Sequence, residues 1–233
     1  MISLIQPPPL KAGDKIATVS LSWGGAGDLD IRWRYELAKK RLESLYGLEV
    51  VEMPHTLMGS DFVYNNPQKR AEDLMNAFKD PTIRGIFSCI GGDDSIRMLP
   101  YIDFNVIANN PKVFLGYSDS TITHWICMKA GLSSVYGPAI LSEFGENVAV
   151  FDYTLEQFES VVMHANPIGE ILPATAWTGE RIEWVIENAH LQKQLQPNTA
   201  YKLLSGNGQG LVQGHLMGGC MEVLEMKIGR AHV

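Results

Sequence analysis

The segment Leu115-Gly116-Tyr117-Ser118-Asp119-Ser120-Thr121 places a serine between an apolar β-branched run and a helix-forming one. A strand that turns sharply into a helix at a serine is the nucleophile-elbow arrangement. It lifts the hydroxyl above the sheet edge and aims it at the helix N-terminus. The pattern G-x-S-x-S is one residue from G-x-S-x-G, and the same residues fit an ordinary helix N-cap, where Ser and Asp are favoured. A second element, Gly91-Gly92-Asp93-Asp94, ends the preceding apolar run. Two glycines let the backbone approach a ligand and turn an N–H toward it. The N–H groups of Gly92 and Asp119 would then form an oxyanion hole, each donor contributing about 2.7–4 kcal/mol to acyl-transfer chemistry. Gly91 and Asp93 would line the substrate. A plain glycine turn capped by Asp93 or Asp94 is the alternative.

A nucleophilic serine needs a base, usually a histidine oriented by a carboxylate. The chain has six histidines, at 55, 124, 164, 190, 215 and 232. His124 follows the elbow among apolar neighbours, His55 sits in a loop after an early strand, and His215 lies in a glycine-rich stretch. The residue pattern singles out none of them as the base.

The elements that must position these groups alternate. Lys15–Ser22 reads as a strand, followed by the glycine loop Gly24-Gly25-Ala26-Gly27 and a helix over Trp33–Tyr46 that Gly47 caps. Leu48–Met53 is a second strand and Pro54–Pro67 a long polar loop. Gln68–Phe78 is an amphipathic helix with Ala71, Leu74, Met75 and Phe78 on one face. Gly85–Ile90 and Val113–Tyr117 are further strands, with helices over Ser95–Tyr101 and Thr121–Ala130. Such alternation predicts an α/β fold whose N-terminal part is a doubly wound, mostly parallel sheet covered on both faces. Binding sites in such sheets lie beyond the carboxyl ends of the strands. After about Phe151 the texture becomes polar and loop-rich, with Trp177, Trp184 and Tyr201 scattered through it. Gly206–Gly219 alternates small and apolar residues, as in tight β structure. The predicted division is residues 1–165, carrying the nucleophile, and residues 166–233, a smaller β-rich unit.

Composition narrows the function classes. The 233 residues are 45% hydrophobic and 19% charged, ordinary for a folded soluble chain, and the net charge of -7 lacks any basic run for nucleic acid. The start of the chain has three prolines and no apolar stretch that fits a signal peptide, and no segment approaches a membrane span. Three separated cysteines suggest buried thiols, not a disulfide frame or metal site. A cytoplasmic protein without cofactor or metal is the expectation. A dinucleotide site is disfavoured, because Gly24-Gly25-Ala26-Gly27 lacks the G-x-G-x-x-G spacing. A non-catalytic nucleotide- or ligand-binding α/β module remains the alternative to an enzyme.

The chain resembles the serine peptidases that include bacterial LD-carboxypeptidases and the microcin C immunity peptidase. The resemblance rests on Leu10-Lys11-Ala12-Gly13-Asp14-Lys15-Ile16, Arg70-Ala71-Glu72-Asp73-Leu74 and Ile90-Gly91-Gly92-Asp93-Asp94. It continues in Leu115-Gly116-Tyr117-Ser118-Asp119, Tyr136-Gly137-Pro138 and Gly218-Gly219-Cys220-Met221-Glu222-Val223-Leu224. The Gly-Gly-Asp-Asp form and the Trp-containing segment are more similar to the microcin-immunity branch. The resemblance implies a Ser-Glu-His triad with Ser118 as nucleophile, and its glutamate and histidine would fall beyond Val233. Glu222 and Glu225 precede the strand that carries the family's glutamate and do not take its place. The implied substrate is an LD-peptide of the murein tetrapeptide type or a peptidyl-nucleotide, with Trp177 or Trp184 stacking on a base and Trp177 preferred. A homodimer is implied for the full-length protein. The tail Lys227–Val233 leaves the family pattern, and one codon set for it contains AGATCGGAAGAGCACACGTC, a sequencing-adapter run. The expectation is therefore a read-through tail and a longer gene.

Overall fold

The computed structural model describes residues 4–205 and 212–228. In chain order it builds β1 (Lys15–Val19), α1 (Arg32–Tyr46), β2 (Glu49–Glu52), α2 (Ser60–Asn65), α3 (Pro67–Lys79) and β3 (Ile83–Ser88). A 3₁₀ helix at Ser95–Tyr101, α4 (Phe104–Asn109), β4 (Val113–Gly116), α5 (Thr121–Lys129), β5 (Val135–Tyr136) and α6 (Asp152–Phe158) follow. The strands form one parallel sheet in the order β2-β1-β3-β4-β5. The chain steps from β1 to β2 on one side and then crosses to β3 on the other, so the order reverses between β1 and β3. A crevice opens there at the carboxyl ends of the strands.

Both sheet faces are covered, which explains why the strands read as continuous apolar runs. Ala17, Val19, Ile86 and Phe114 pack with Leu74, Phe78 and Ile126 of α3 and α5 on one face. Ile16, Phe87, Val113 and Leu115 point the opposite way, toward Tyr35 and Leu42 of α1 and Phe158 of α6. Gly47 ends α1 with φ 64°, the left-handed conformation that a helix-terminating glycine supplies at little cost. Cys89 and Cys127 are buried thiols as expected, and burial pushes both up to about 12.

Three departures from the sequence reading have identifiable causes. The predicted loop over 54–67 contains α2, whose start is held by Asp28 from the loop after β1. The Asp28 carboxylate accepts the Ser60 N–H at 2.8 Å and the Ser60 hydroxyl, a tertiary cap that no local pattern displays. The Ser95–Tyr101 helix is 3₁₀, with Pro100 inside it removing an N–H. Of the expected β structure at Gly206–Gly219, residues 206–211 lie outside the described residues, and residues 212–219 form no strand. Val212 and Leu216 are exposed there, and among the described residues no strand pairs with this segment as a ladder requires. The regular structure described in residues 166–205 is a short antiparallel pair of β6 (Ala176–Trp177) and β7 (Gln196–Pro197), with a 3₁₀ turn at Ile186–Asn188. α7 (Met221–Ile228) returns to the first unit, where Val223 joins the core beside Ile122.

Phe87 tests this core. Its ring stacks on Phe144 at 6.4 Å and meets Phe158 edge-on at 5.9 Å, with 1% of its surface exposed. Phe87→Ala is expected to lower the unfolding free energy in urea by about 3–5 kcal/mol. Leu29→Ala, at a position 93% exposed, should stay within about 0.5 kcal/mol of the parent.

Candidate active site

The order reversal between β1 and β3 brings the loops that leave these two strands side by side. Ser22 and Trp23 follow β1, Ile90-Gly91-Gly92-Asp93-Asp94 follows β3, and Tyr117-Ser118 follows β4. Together with Ser60, Asp61 and Tyr64 of α2 they line a cleft of about 660 Å³. That volume suits a small ligand.

Ser118 stands between β4 and α5 in a short 3₁₀ turn, Ser118–Ser120. Its φ of 61° is the left-handed conformation, which costs a residue with a side chain about 1–3 kcal/mol and persists only where neighbours enforce it. Three contacts do so. The Ser118 N–H donates to the Tyr136 hydroxyl at 2.9 Å, and the Ser118 carbonyl accepts from Thr121 Oγ1 at 2.7 Å. The third is Gly91. A Cβ built on it would lie 2.7 Å from Ser118 Cβ, 2.8 Å from Ser118 Oγ and 3.2 Å from the Asp119 nitrogen. Glycine is the residue that permits this approach. Gly92 has φ 151°, and a Cβ there would fall 2.2 Å from Ser22 Oγ.

The Asp119 side chain turns inward. Fully buried, it accepts the Ser22 hydroxyl at 2.7 Å and the Ser95 N–H at 2.8 Å, while Ser95 Oγ donates to its carbonyl at 2.9 Å. It therefore caps the 3₁₀ helix that follows Asp94. Asp94 accepts from Arg70 at 2.6 Å and from Arg97 at 3.0 Å, and the buried Arg70 also donates to the carbonyls of Leu21 and Ser22. Asp93 is exposed on the cleft. Beside the serine, the Tyr117 hydroxyl donates toward Ser142 Oγ and the Glu143 carboxylate at 3.1 and 3.2 Å. Burial, with the Glu143 charge second, pushes that phenol up to about 12.

Sequence reasoning placed Gly91, Gly92, Asp93, Ser118 and Asp119 together, and they do converge. Trp177 is not among the residues that line the cleft. It sits half-exposed on the β6–β7 pair. Trp23 occupies the cleft wall, stacked on Trp184 at 6.4 Å and 22°. Trp184 in turn lies under the Arg34 guanidinium at 4.5 Å, and its carbonyl accepts from Trp33 Nε1. Ser22, Trp23, Tyr64, Tyr117 and Tyr136 escaped the sequence reading, although the rule that ligands bind at strand-order reversals points to the loop after β1.

Among the described residues no histidine lines the cleft. His124 is buried with both ring nitrogens engaged, Nε2 to the Gly116 carbonyl at 2.9 Å and Nδ1 to Ser134 Oγ at 2.8 Å. Burial lowers its pKa to about 4. His55 pairs through Nδ1 with Asp73 at 2.8 Å and stacks on Phe62. His164, His190 and His215 are exposed.

Residues 16–137 match the LD-carboxypeptidase N-terminal domain of peptidase family S66. The chain belongs to this family. It is 34% identical over 160 residues to the microcin C7 self-immunity protein MccF of Escherichia coli, a match covering 67% of this chain and 45% of that protein. It is 32% identical over 192 residues to a Vibrio cholerae protein classed by name with the carboxypeptidases, covering 82% and 55% of the two. The chain thus spans about half the length of these relatives. Among solved structures, an MccF-like protein from Streptococcus pneumoniae in complex with AMP superposes with a TM-score of 0.83 at 34% identity. That match covers 91% of this chain and 62% of the other. MccF in complex with aspartyl sulfamoyl adenosine superposes with a TM-score of 0.80 at 29% identity, covering 95% and 64%. The α/β fold with its parallel sheet is that of the MccF-like structures. The family is one of serine carboxypeptidases, and its neighbours bind nucleotide-like ligands. Among the described residues no helix is long and apolar enough to cross a membrane.

Two measurements test the geometry. Gly91→Ala should push the Ser118 side chain aside and, in a chain extended through the triad residues that the resemblance implies, slow its reaction with a fluorophosphonate at least tenfold, with the fold retained by circular dichroism. For His124 the folded pKa lies below the ordinary value of 6.5, so the unfolded chain binds the extra proton. Its stabilising contribution is therefore complete above about pH 6.5 and lost as pH falls toward 4, on the order of 3 kcal/mol in all. His124→Gln should flatten urea-measured stability across that window.

Proposed function

We propose that residues 1–165 form the nucleophile-bearing unit of a serine carboxypeptidase and residues 166–233 the start of a smaller unit that supports its substrate. The observation that carries this reading is Ser118 in a left-handed conformation at a strand–helix turn, in contact with Gly91 beside an open cleft. In the reaction Ser118 Oγ attacks the scissile carbonyl, and the N–H groups of Asp119 and Gly92 receive the oxyanion. Gly91 and Asp93 border the substrate. A base removes the serine proton and returns it to the leaving amine. The resemblance assigns that base to a histidine oriented by a glutamate, in sequence following the matched part. This assignment accords with the engagement of His124 and His55 elsewhere.

Of the two substrate classes, an aminoacyl- or peptidyl-nucleotide is the better supported, with a murein-type LD-peptide second. The AMP and aspartyl sulfamoyl adenosine complexes of the neighbours favour it. So does Trp23 at the cleft wall, backed by Trp184, an aromatic surface suited to a nucleobase. On this reading the base stacks on Trp23, with Trp184 behind it, and not on Trp177. A non-catalytic nucleotide-binding module would use the same wall and leave Ser118 idle. The protein would work in the cytoplasm, and as a homodimer when full length.

Calorimetry with aspartyl sulfamoyl adenosine checks the stack. Trp23→Ala and Trp184→Ala should each weaken binding about tenfold, within the roughly 1–3 kcal/mol of a base–aromatic contact, and Trp177→Ala should not. The 233-residue chain should turn over neither a peptidyl-nucleotide nor an LD-tetrapeptide, since loss of triad members costs about 10⁴- to 10⁶-fold. Turnover by this chain that Ser118→Ala abolishes would place a working base inside these residues and overturn the division of labour.

A further inference from the structure

Ser118 is strained, and strain at one residue needs a specific restraint. Its carbonyl is held from within its own turn by Thr121 Oγ1. Its N–H, by contrast, reaches a side chain eighteen positions away, the hydroxyl of Tyr136 at 2.9 Å. Tyr136 is not free to wander. It ends β5, where its backbone lies opposite Gly116 of β4, and the N–H of Gly137 bonds the Gly116 carbonyl at 3.1 Å. Its ring packs against His124 at 5.3 Å and against Tyr117 edge-on at 6.4 Å. His124 is itself pinned through both nitrogens, and the same Gly116 carbonyl accepts its Nε2. The ring is nevertheless 47% exposed, so packing alone does not account for its placement.

Resting on the reading of Ser118 as nucleophile, we propose that Tyr136 is a positioning residue for it. By accepting the Ser118 N–H, the Tyr136 hydroxyl holds the left-handed turn that keeps Ser118 Oγ beside Gly91. The same bond has a consequence for the oxyanion site. The Ser118 N–H is occupied, so the donors left for an oxyanion near the serine are those of Asp119 and the Gly91-Gly92 turn. Without the phenol oxygen, the Ser118 peptide loses its acceptor and the turn can relax toward negative φ, withdrawing the hydroxyl from the cleft.

The test is Tyr136→Phe in the 233-residue chain, which keeps the ring and its packing and removes only the oxygen. Amide hydrogen exchange at Ser118 should quicken about fivefold to tenfold, the scale of one net hydrogen bond. Fluorophosphonate labelling of Ser118, read in a chain extended through the triad residues that the resemblance implies, should slow by a similar factor, with the thermal midpoint unchanged. A tyrosine that served only for packing would move neither readout in the Phe variant. Unchanged exchange together with unchanged labelling would overturn the inference while leaving Ser118 as the nucleophile. If a chain extended through the triad residues that the resemblance implies is not labelled at all, and Ser118→Ala behaves identically, the nucleophile reading fails. Faster Ser118 exchange in Tyr136→Phe would still support the restraint itself.

Discussion

The carboxylate of Asp119 is the interaction on which the rest of the cleft depends. One oxygen accepts the Ser22 hydroxyl from the loop after β1 and the Ser95 N–H from the loop after β3, while Asp119 itself follows β4. Three strand ends that converge because of sheet topology are thereby fixed to one another at hydrogen-bond precision. The other oxygen is buried without a hydrogen-bond partner among the described residues, so the clamp rests on the two bonds to the first, each from a different loop. The arrangement thus holds only when all three loops are in place. The backbone nitrogen of the same residue lies close to Gly91, so the clamp and the candidate oxyanion donor belong to one residue.

The glycines complete what the clamp begins. Gly91 lets the loop after β3 touch the serine, and Gly92 lets it pass Ser22 at a distance no side chain tolerates. Ser22 is therefore pressed by Gly92 on one side and bonded to Asp119 on the other. Behind it Arg70 gathers the carbonyls of Leu21 and Ser22 and the carboxylate of Asp94. Movement of any one loop would break contacts made by the other two.

The parts legible in the sequence were those written in local chemistry. β1, β3 and β4 announced themselves as largely apolar runs because both sheet faces are buried there, and Gly47 marked the end of α1 through its left-handed cap. Ser118 was visible as a serine between a strand and a helix, and Gly91-Gly92 as a backbone that must approach something. What stayed hidden depends on residues distant in sequence. α2 is capped by Asp28, thirty-two positions earlier, so its sequence read as loop. Trp23 gains its place from Trp184, on a segment with almost no regular structure, and nothing local distinguishes Trp184 from Trp177. Tyr136 looked like part of a Tyr-Gly-Pro turn, and its bond to Ser118 follows only from the pairing of β5 with β4.

The two buried or half-buried histidines bear on whether the proposed nucleophile finds its base within this part of the fold. A general base for serine needs one ring nitrogen free toward the hydroxyl and the other held by an acceptor. His124 has neither nitrogen free, since the Gly116 carbonyl requires Nε2 as donor, leaving Nδ1 to accept from Ser134. Its burial further disfavours the imidazolium that a base must become. His55 has the carboxylate partner of a triad histidine, but it stacks on Phe62 and stands outside the cleft lining. The elbow is therefore shaped entirely by contacts that involve no catalytic base: Tyr136 and Thr121 on the backbone, Gly91 on the side chain, Asp119 beneath. Its strain is met by the α/β unit itself, so on the proposed reading the serine would be poised for whichever base reaches it.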